Sequence, residues 1–396
     1  MKRRLYLFTA TYPFEATEPF LEDEIGYLCH EFDQVVITPL YGSRLSRQVP
    51  DNCVVNTPIL SPSKVKQCLA ALLPGRAFKH YAKEFFAKRV WSSAQRLKCW
   101  LISYIHTCNI IHSRCVQSIL KDATAHDTLY FYWGKGSNVL PLLYPGEYTS
   151  VCRFHGEWDL WEESCGDYAP LRKAIAEKLD LAVFISERGE KYYNEKYPCN
   201  PTAVSRLGAR DCGLANRSSD GTLRILSCSS VYPLKRVPLI LEAVKQIEDR
   251  NVEWTHIGAG ADFDTLKSLA DQSKTTHLTI NLMGQMSHDD VMEYYRNHCV
   301  DLFIILSTNE GIPVTIMEAI SFGVPVVATN VGSTSEIVND QTGTLLAADP
   351  SIQEITSAIE QTTTKPTNPR AFWAQYYNAE SNYSAFARLI KSTEQR

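Results

Sequence analysis

Two glutamates near the start of one helical stretch are the residues whose type and spacing best suit the binding of a polar ligand. The apolar run Leu302–Leu306 is typical of a buried strand, and Glu310, Gly311 and Pro313 follow it before a helical pattern that contains Glu318. Carboxylate oxygens accept hydrogen bonds from hydroxyl groups, and glycine lets the backbone approach a ligand closely. The amides of a first helical turn attract anions. The spacing therefore predicts a site for a hydroxyl-rich anion, although solvated glutamates beside an ordinary loop would show it too.

The elements around this loop are predicted to form a strand–loop–helix–strand unit. Pro313 suits the first position of the helix, because its missing N–H has no helical partner there. Gly323 is expected to end the helix, and Pro325 prevents its continuation before the next strand, Val324–Ala328. Since open α/β sheets bind ligands at the carboxyl ends of parallel strands, the loop is expected at the ligand-binding edge.

The same alternation of short apolar runs and amphipathic stretches extends along the whole chain and predicts an α/β protein with mostly parallel sheets. A polar stretch at 209–221 interrupts the pattern, which then restarts. We therefore expect two Rossmann-like domains facing across a cleft. The predicted segments are 1–208, with a helical insertion at about 61–121, the linker 209–221, the second domain 222–368, and C-terminal helices over 369–396 that cross back to the first domain.

Composition excludes several classes of protein. The chain has 396 residues, 44% of them hydrophobic and 21% charged, with a net charge of −4, which excludes a disordered chain, a coiled coil and a uniformly basic nucleic-acid binder. The 12 cysteines form no CxxC pair and predict reduced thiols rather than a zinc site or a disulfide framework. No apolar run is long enough to span a bilayer, and the basic N-terminus leads into a predicted strand rather than a signal peptide. We therefore expect a cytoplasmic protein.

The sequence resembles the retaining glycosyltransferases of family 4, which have the GT-B fold. Their signature is a pair of glutamates separated by seven residues, within a pattern that also has glycine, proline and alanine at set positions. The matching positions in this chain are Glu310, Gly311, Pro313, Glu318, Ala319, Gly323 and Pro325. The resemblance covers about 223–343 strongly and the N-terminal half weakly. It implies transfer of a sugar from a UDP- or GDP-sugar to a hydroxyl of a glycan or lipid-linked acceptor, in bacterial surface polysaccharide synthesis.

The resemblance also implies roles for individual residues. Glu310 would bind hydroxyls of the donor sugar, Glu318 the ribose, and Lys235 the pyrophosphate. Ser230 stands where the family usually has an arginine, so that Arg236 or helix amides would have to compensate for its charge. The complete donor-binding set comprises Lys235, Arg236, Gly311, Ile312, Pro313, Glu318 and Arg206.

A second candidate region lies in the first half of the chain. His155 follows the strand-like run Thr149–Phe154 and resembles the family histidine that faces the donor sugar. It is therefore predicted to be catalytic together with Glu310, although a lone histidine is also common as a structural residue. The segment 11–20 carries acidic residues and proline where many relatives have a glycine-rich loop, and it is predicted to contact the acceptor.

Two further motifs are weighed against metal and dinucleotide binding. Asp262 and Asp264 spell a DxD pattern, but they stand at a predicted helix start, where capping and the helix dipole explain acidic residues. Gly258 and Gly260 lack the third glycine of a dinucleotide fingerprint. We expect no metal site and no cofactor, the nucleotide-sugar being a substrate.

The predicted helical insertion is strongly basic, although the chain as a whole is slightly acidic. Residues 61–121 carry eleven basic side chains and one acidic one, a net charge of +10, with aromatic residues interleaved. Basic charge combined with aromatic groups at helical spacing suits an anionic membrane surface, which would make the enzyme peripheral at the inner face of the plasma membrane. A solvated helical face with a packed aromatic side explains the same pattern.

Three other functions remain open from the sequence. Ser230 in place of the usual arginine also fits a non-catalytic scaffold that binds a nucleotide-sugar. The same fold also supports epimerases and phosphorylases. Release of the nucleotide with an acceptor present separates transfer from these functions.

Overall fold

Two separate β-sheets organise the chain in the computed structural model, which describes residues 3–15, 17–44, 47–73, 75–156, 159–198, 201–273 and 275–393. One unit comprises Met1–Ser205 and Tyr383–Arg396, and the other comprises Arg206–Asn382. The division falls between Ser205 and Arg206, so the segment 209–221, predicted as a linker, lies within the second unit. Glu157 and Trp158, which belong to the predicted loop around His155, lie outside the described residues.

The first unit is built on a parallel sheet of buried apolar strands, as expected for strands covered on both faces. Its strands are β1 (Arg4–Thr9), β2 (Gln34–Pro39), β3 (Cys53–Val55), β4 (Thr128–Phe131), β5 (Thr149–Phe154), β6 (Leu181–Phe184) and β7 (Thr202–Val204). Over the described residues they are ordered β3-β2-β1-β4-β5-β6-β7, and every pair is parallel. The N-terminal apolar run is therefore a buried inner strand of a sheet.

Helices surround this sheet, and four of them form the predicted helical insertion. The helices are α1 (Phe20–Glu31), α2 (Lys64–Ala70), α3 (Ala77–Ala87), α4 (Ala94–His112), α5 (Arg114–Asp122), α6 (Leu140–Leu143), α7 (Arg172–Ala176) and α8 (Glu187–Lys196). Helix α7 begins directly after Leu171, because the left-handed backbone of that residue (φ 56°) cannot be part of a helix.

The second unit repeats the parallel α/β pattern. Its strands are β8 (Leu223–Cys228), β9 (Val252–Ile257), β10 (Leu278–Gly284), β11 (Leu302–Ile305), β12 (Val326–Thr329) and β13 (Gly343–Leu346). Within the described part of the chain their order is β10-β9-β8-β11-β12-β13. The helices are α9 (Val237–Val244), α10 (Phe263–Gln272), α11 (His288–Asn297), α12 (Val314–Ser321), α13 (Ile352–Thr364), α14 (Pro369–Tyr376) and α15 (Ala379–Ser392). From Tyr383 onward α15 belongs to the first unit, where Phe386 and Ile390 pack in the core.

Two helix starts differ from their predictions. Pro313 is not the first helical residue but the extended residue before it (ψ 123°), and its carbonyl accepts the first hydrogen bond, from the amide of Ile316. Asp262 precedes α10, but its side chain caps no amide there, so its predicted capping role is wrong. Its backbone (φ −100°, ψ 13°) is not the extended conformation from which a side chain reaches the first-turn amides. Asp264 does lie in the first turn, as the dipole explanation requires.

Candidate functional site

Lys235 and Glu310 form an ion pair at the carboxyl ends of the neighbouring strands β8 and β11. Lys235 ends a short 3-10 turn, Pro233–Lys235, and Glu310 lies in the loop before α12. The Lys235 Nζ donates to Glu310 Oε1 at 2.5 Å, and the side chains are 20% and 7% exposed. The amide of Thr308 also donates to the carbonyl of Leu234 at 2.9 Å, which ties the two loops together. An ammonium and a carboxylate are therefore held side by side at the ligand-binding edge of the sheet.

Glu318, on α12, has a partner that the sequence did not indicate. His288, the first residue of α11, contacts it with an Nε2–Oε1 distance of 2.9 Å. The Glu318 carboxylate is buried, whereas His288 is partly exposed. Burial and then the nearby negative charge of Glu318 raise the pKa of the Cys228 thiol, at the end of β8, to about 12. The thiol is therefore protonated at neutral pH and cannot act as a thiolate nucleophile.

A glycine after β12 fixes the backbone of the Glu310 loop. Gly332 has a left-handed backbone (φ 53°), and a Cβ atom there would overlap the carbonyl oxygen of Glu310. The amide of Ser333 donates to the carbonyl of Gly311 at 3.0 Å. The loops after β11 and β12 therefore interlock, and only glycine fits at position 332.

Arg236 anchors the loop that carries Lys235. Its backbone is left-handed (φ 48°), and its guanidinium donates to the carbonyls of Leu306 at 2.6 Å, Ala348 at 2.8 Å and Ser307 at 3.2 Å. It also pairs with the exposed Asp349 at 3.1 Å. These contacts hold the turn against the ends of β11 and β13. A role for Arg236 at the donor phosphates stays a prediction.

The start of α12 offers backbone groups rather than side chains. Gly311 has no side chain, the side chain of Ile312 is buried, and Pro313 lacks an N–H. The first amides of a helix have no preceding helical carbonyl to bind, so they point out of its N-terminus. Any anion held by this segment would therefore be bound through main-chain N–H groups.

Arg206 pairs with the loop after β12, whose Ser333 contacts Gly311. Its Nη2 is 3.7 Å from Glu336 Oε2, in the 3-10 turn Thr334–Glu336 that follows β12, and its guanidinium lies 5.9 Å from the centre of the Tyr376 ring. The structure therefore brings Lys235 and Glu310 into direct contact and gives Arg206 other partners.

His155 lies in the first unit, directly after β5. It is buried against aromatic rings, with centroid distances of 4.4 Å to Trp133, 4.6 Å to Tyr132 and 6.2 Å to Phe20. Its Nδ1 is 3.6 Å from Asp159 Oδ2. Burial lowers the pKa of the imidazole, although Asp159 acts in the opposite direction. The side chain is therefore neutral at pH 7 and can donate from one nitrogen and accept at the other.

The loop after β1, in the segment 11–20 that is predicted to contact the acceptor, holds the buried carboxylate of Glu18. Glu18 accepts hydrogen bonds from the amides of Thr11 at 2.6 Å, Tyr12 at 2.7 Å and Ala10 at 3.1 Å. The indole of Trp133 donates to the same carboxylate. Three converging amides form an anion-binding concavity, and here a residue of the chain itself occupies it.

Metal binding has no candidate cluster in the parts of the chain that the structure describes. Across the ranges given above, no three His, Cys, Asp or Glu side chains are grouped closely enough to hold an ion. Over the same ranges, no helix is long and apolar enough to cross a membrane.

Comparison with known proteins identifies the unit that holds the Lys235–Glu310 pair. Residues 215–379 match the family model described as "Glycosyl transferases group 1". The second unit therefore resembles the group 1 glycosyl transferases over most of its length. Both carboxylates of the Glu-x7-Glu spacing lie inside this group 1 domain, so the resemblance found in the sequence is confirmed at this level. Membership of family 4 stays a prediction.

Curated relatives match parts of the chain. The "Lipopolysaccharide core biosynthesis mannosyltransferase LpsB" of Rhizobium meliloti (strain 1021) is 43% identical over 65 residues, 16% of this chain and 18% of that protein. The "Putative colanic acid biosynthesis glycosyltransferase WcaL" of Escherichia coli (strain K12) is 26% identical over 206 residues, 49% of this chain and 50% of that protein. The chain thus spans half or less of the length of these relatives.

Solved structures match both units. The "lipopolysaccharide outer core galactosyltransferase WaaB apo form" has a TM-score of 0.67 at 12% identity and covers 98% of this chain and 99% of its own. Anabaena Alr3699/HepE in complex with UDP-glucose has a TM-score of 0.63 at 15% identity and covers 98% of this chain and 99% of its own. At these identities the likeness shows the fold, which is GT-B. The predicted fold class is confirmed.

Proposed function

We propose that the protein is a retaining glycosyltransferase that moves a sugar from a UDP- or GDP-sugar to a hydroxyl of a glycan or lipid-linked acceptor in bacterial surface polysaccharide synthesis. The observation that carries the proposal is the Lys235–Glu310 pair at the ends of two neighbouring strands of a group 1 domain. LpsB, whose name places it in lipopolysaccharide core synthesis, and HepE, solved with UDP-glucose, support the pathway and the donor class.

In the proposed reaction, negative charge develops on the diphosphate as the bond to the sugar breaks. The Lys235 ammonium and the first amides of α12 stabilise that charge, and preorganised donors of this kind lower a barrier strongly. Glu310 holds the ammonium in place and accepts hydrogen bonds from sugar hydroxyls. Glu318, oriented by His288, accepts hydrogen bonds from the ribose hydroxyls.

His155 contributes to the same reaction from the first unit. A neutral imidazole can donate to a hydroxyl of the donor sugar without adding a cation beside the positively charged transition state. The aromatic rings around it exclude water and keep the pKa low. No side chain is assigned as the base, because the departing phosphate can itself accept the proton of the acceptor hydroxyl.

The proposed transfer uses neither a metal ion nor a bound cofactor. Lys235 and the α12 amides supply the positive potential for which other glycosyltransferases use a divalent cation. Activity is expected to survive dialysis against EDTA. Loss of turnover that Mg²⁺ or Mn²⁺ restores would contradict this part of the proposal.

The enzyme is proposed to work at the inner face of the plasma membrane through its helical insertion, residues 61–121. Ten of the eleven basic side chains in the insertion are exposed among the described residues. Ten of the 17 large apolar side chains exposed over those residues also lie there, including Phe78, Phe86 and Trp91. Glu84, the single acid of the insertion, faces inward and accepts hydrogen bonds from Tyr168 and Leu171. The exposed face therefore combines positive charge with apolar groups, which suits anionic lipid.

Vesicle binding tests this location. The protein is expected to cosediment with vesicles of phosphatidylglycerol and phosphatidylcholine at low salt. Replacing Lys83, Lys88 and Arg89 with Ser should weaken binding, at about 1 kcal/mol per charge. A control variant that removes Lys245, Lys267 and Arg296 of the second unit has the same charge change and should bind like the wild type. Equal losses in both variants, or no binding at all, would contradict membrane docking.

The reaction itself is tested by nucleotide release. A thermal-shift screen of UDP- and GDP-sugars first identifies the donor, because a ligand that binds the folded state raises its stability. Release of the nucleotide is then measured with and without a bacterial lipid extract as acceptor. Lys235→Ala and Glu310→Ala should each lower turnover by about a hundredfold or more, whereas Lys245→Ala should not. Binding without turnover would indicate a scaffold, and an epimerised donor would indicate an epimerase; either result overturns the proposal.

A further inference from the structure

A cavity of about 320 Å³ lies in the first unit, beyond the carboxyl ends of β1, β2 and β4. Helix α4 forms one wall, and the segment that leads into α7 forms another. The walls are largely apolar, with Phe8, Leu40, Phe131, Val139, Pro170 and Ile175 among the lining residues. A volume of this order is typical of a small-molecule site.

Two cations line this apolar cavity. Arg172 is 4% exposed, and its Nη2 donates to the carbonyl of Asp159 at 2.5 Å. No group within the described ranges accepts a hydrogen bond from its Nη1. Lys135 lines the cavity as well, and burial lowers the pKa of its ammonium. A buried guanidinium N–H without an acceptor is costly, so an anionic ligand that binds it would be stabilised strongly.

The carboxylate of Asp159, which lies near these cations, binds backbone amides. Asp159 accepts hydrogen bonds from the amide of His155 at 3.0 Å and from the amide of Gly134 at 3.1 Å. These amides lie on the loops after β5 and β4. Among the described residues that line the cavity, Arg172 and Lys135 are cations and none is acidic, so the lining suits an oxyanion such as phosphate.

A second cavity, of about 660 Å³, adjoins the first and leads to the surface of the insertion. Tyr41, Ile102 and His106 line both cavities, and the Tyr41 hydroxyl lies 3.3 Å from His106 Nε2 at their boundary. Ile102 is 44% exposed, and its helix α4 also presents Leu101 to solvent. An apolar path thus runs from the basic, apolar face of the insertion to the buried cations.

We infer that the two cavities together bind one anionic amphiphile, with a phosphate at Arg172 and Lys135 and a hydrocarbon chain along Ile102 towards the insertion. This inference rests on the proposed function, since it names that amphiphile as the acceptor. A phosphate is favoured over a carboxylate because it offers acceptors to a guanidinium and an ammonium at once. The hydrocarbon chain is favoured because the path outside the cations is apolar and opens on a face suited to lipid.

Decyl phosphate, below its micellar concentration, is the probe for the whole site. Titration calorimetry reports its binding, and the intrinsic tryptophan fluorescence, to which Trp133 of the first cavity contributes, is a second readout. Inorganic phosphate, glucose 6-phosphate and decyl glucoside are titrated in parallel. Decyl phosphate is expected to bind about tenfold or more tightly than each of the three, because only it uses both the cations and the apolar path.

Three substitutions and one control assign the contacts. Lys135→Gln and Arg172→Gln should each weaken decyl phosphate binding by about tenfold. Arg172 also donates a hydrogen bond to the carbonyl of Asp159. If the Arg172 variant does not fold, Lys135→Gln alone tests the contact between the phosphate and the cations. Ile102→Asp should weaken decyl phosphate and leave inorganic phosphate unchanged. The control, Lys173→Gln, removes an exposed cation next to Arg172 and should have no effect.

Several outcomes would overturn the inference. Glucose 6-phosphate binding as tightly as decyl phosphate would indicate a water-soluble sugar phosphate, and decyl glucoside doing so would show that the cations have no role. Unchanged binding in Lys135→Gln would likewise contradict it. These titrations contain no donor. If decyl phosphate does not bind to the wild-type protein, only the assignment of the cavities is contradicted. Failure of nucleotide release contradicts the proposed function instead.

Discussion

The imidazole of His288 lies 2.9 Å from the carboxylate of Glu318, although 30 residues separate them in the chain. One stands at the start of α11 and the other within α12. Glu318 is the carboxylate assigned to the donor ribose, so its orientation depends on a residue of another helix.

Replacing His288 with Ala is therefore expected to raise the KM for the donor. A single hydrogen bond to a charged group contributes about 1.5 kcal/mol, so the rise should be about tenfold. The value of kcat should change little, because the ribose is remote from the reacting bond. His298→Ala removes an exposed histidine after the same helix and serves as the control. A KM equal to that of the wild type would show that Glu318 needs no orientation by His288.

The Lys235–Glu310 pair should contribute to stability as well as to turnover. Lys235→Met leaves the buried Glu310 carboxylate without its ion partner and should lower the free energy of unfolding by about 1–3 kcal/mol. The double variant with Glu310→Gln should recover part of that loss. Urea unfolding of the two single variants and the double variant measures the coupling. Additive losses would mean that the two side chains do not interact in solution.

His256 predicts a pH dependence of stability. Burial in β9 lowers the pKa of this histidine to about 4, from the usual value near 6.5. Between these pH values the unfolded chain binds more protons than the folded chain, so stability rises as pH increases through the window. From pH 5 to pH 7.5 the contribution is about 2 kcal/mol. Urea unfolding of His256→Asn should show a smaller gain than the wild type, and an equal gain would contradict the prediction.

Glu18 should be essential for the order of the loop after β1. Glu18→Ala removes the acceptor of three amides and should lower the free energy of unfolding by about 2 kcal/mol or more. Glu22→Ala, which removes an exposed carboxylate of the first turn of α1, is the matched control and should cost less than about 1 kcal/mol. Thermal and urea unfolding both report the difference. Equal losses in the two variants would show that the amides are satisfied without Glu18.

Most of the α/β alternation could be predicted from the sequence, because buried parallel strands are continuous apolar runs with turn residues between them. The strand β11, its loop and α12 were predicted within one residue at the helix start. The edge strands β3 and β7 were missed, since each has three residues and neither has a fully buried position. The edge strand β13 was missed as well, since it has four residues, one of them a glycine, and only two are buried. A strand at the edge of a sheet needs less apolar sequence than one at its centre.

The candidate site was also predicted only in part. Spacing along one element predicted Glu310 and Glu318, because both lie within a single strand–loop–helix unit. His288 and Arg172 were not predicted, and for Glu18 only an acceptor contact of its segment 11–20 was predicted, because the spacing of residues along one element does not show the partner of any of the three. For Glu18 the partners are backbone amides, and almost every residue has one, so residue type does not predict this contact. The predicted capping by Asp262 failed because capping depends on a backbone angle as well as on residue type.

Gly332 touches the backbone of Glu310 and is assigned no ligand, yet its tolerance to substitution should be as low as that of a binding residue. In a saturation library of the second unit, position 332 should therefore group with Lys235 and Glu310 when variants are ranked by activity. Such a ranking would measure how accurately the chain must place a carboxylate, and not only which side chains the donor meets.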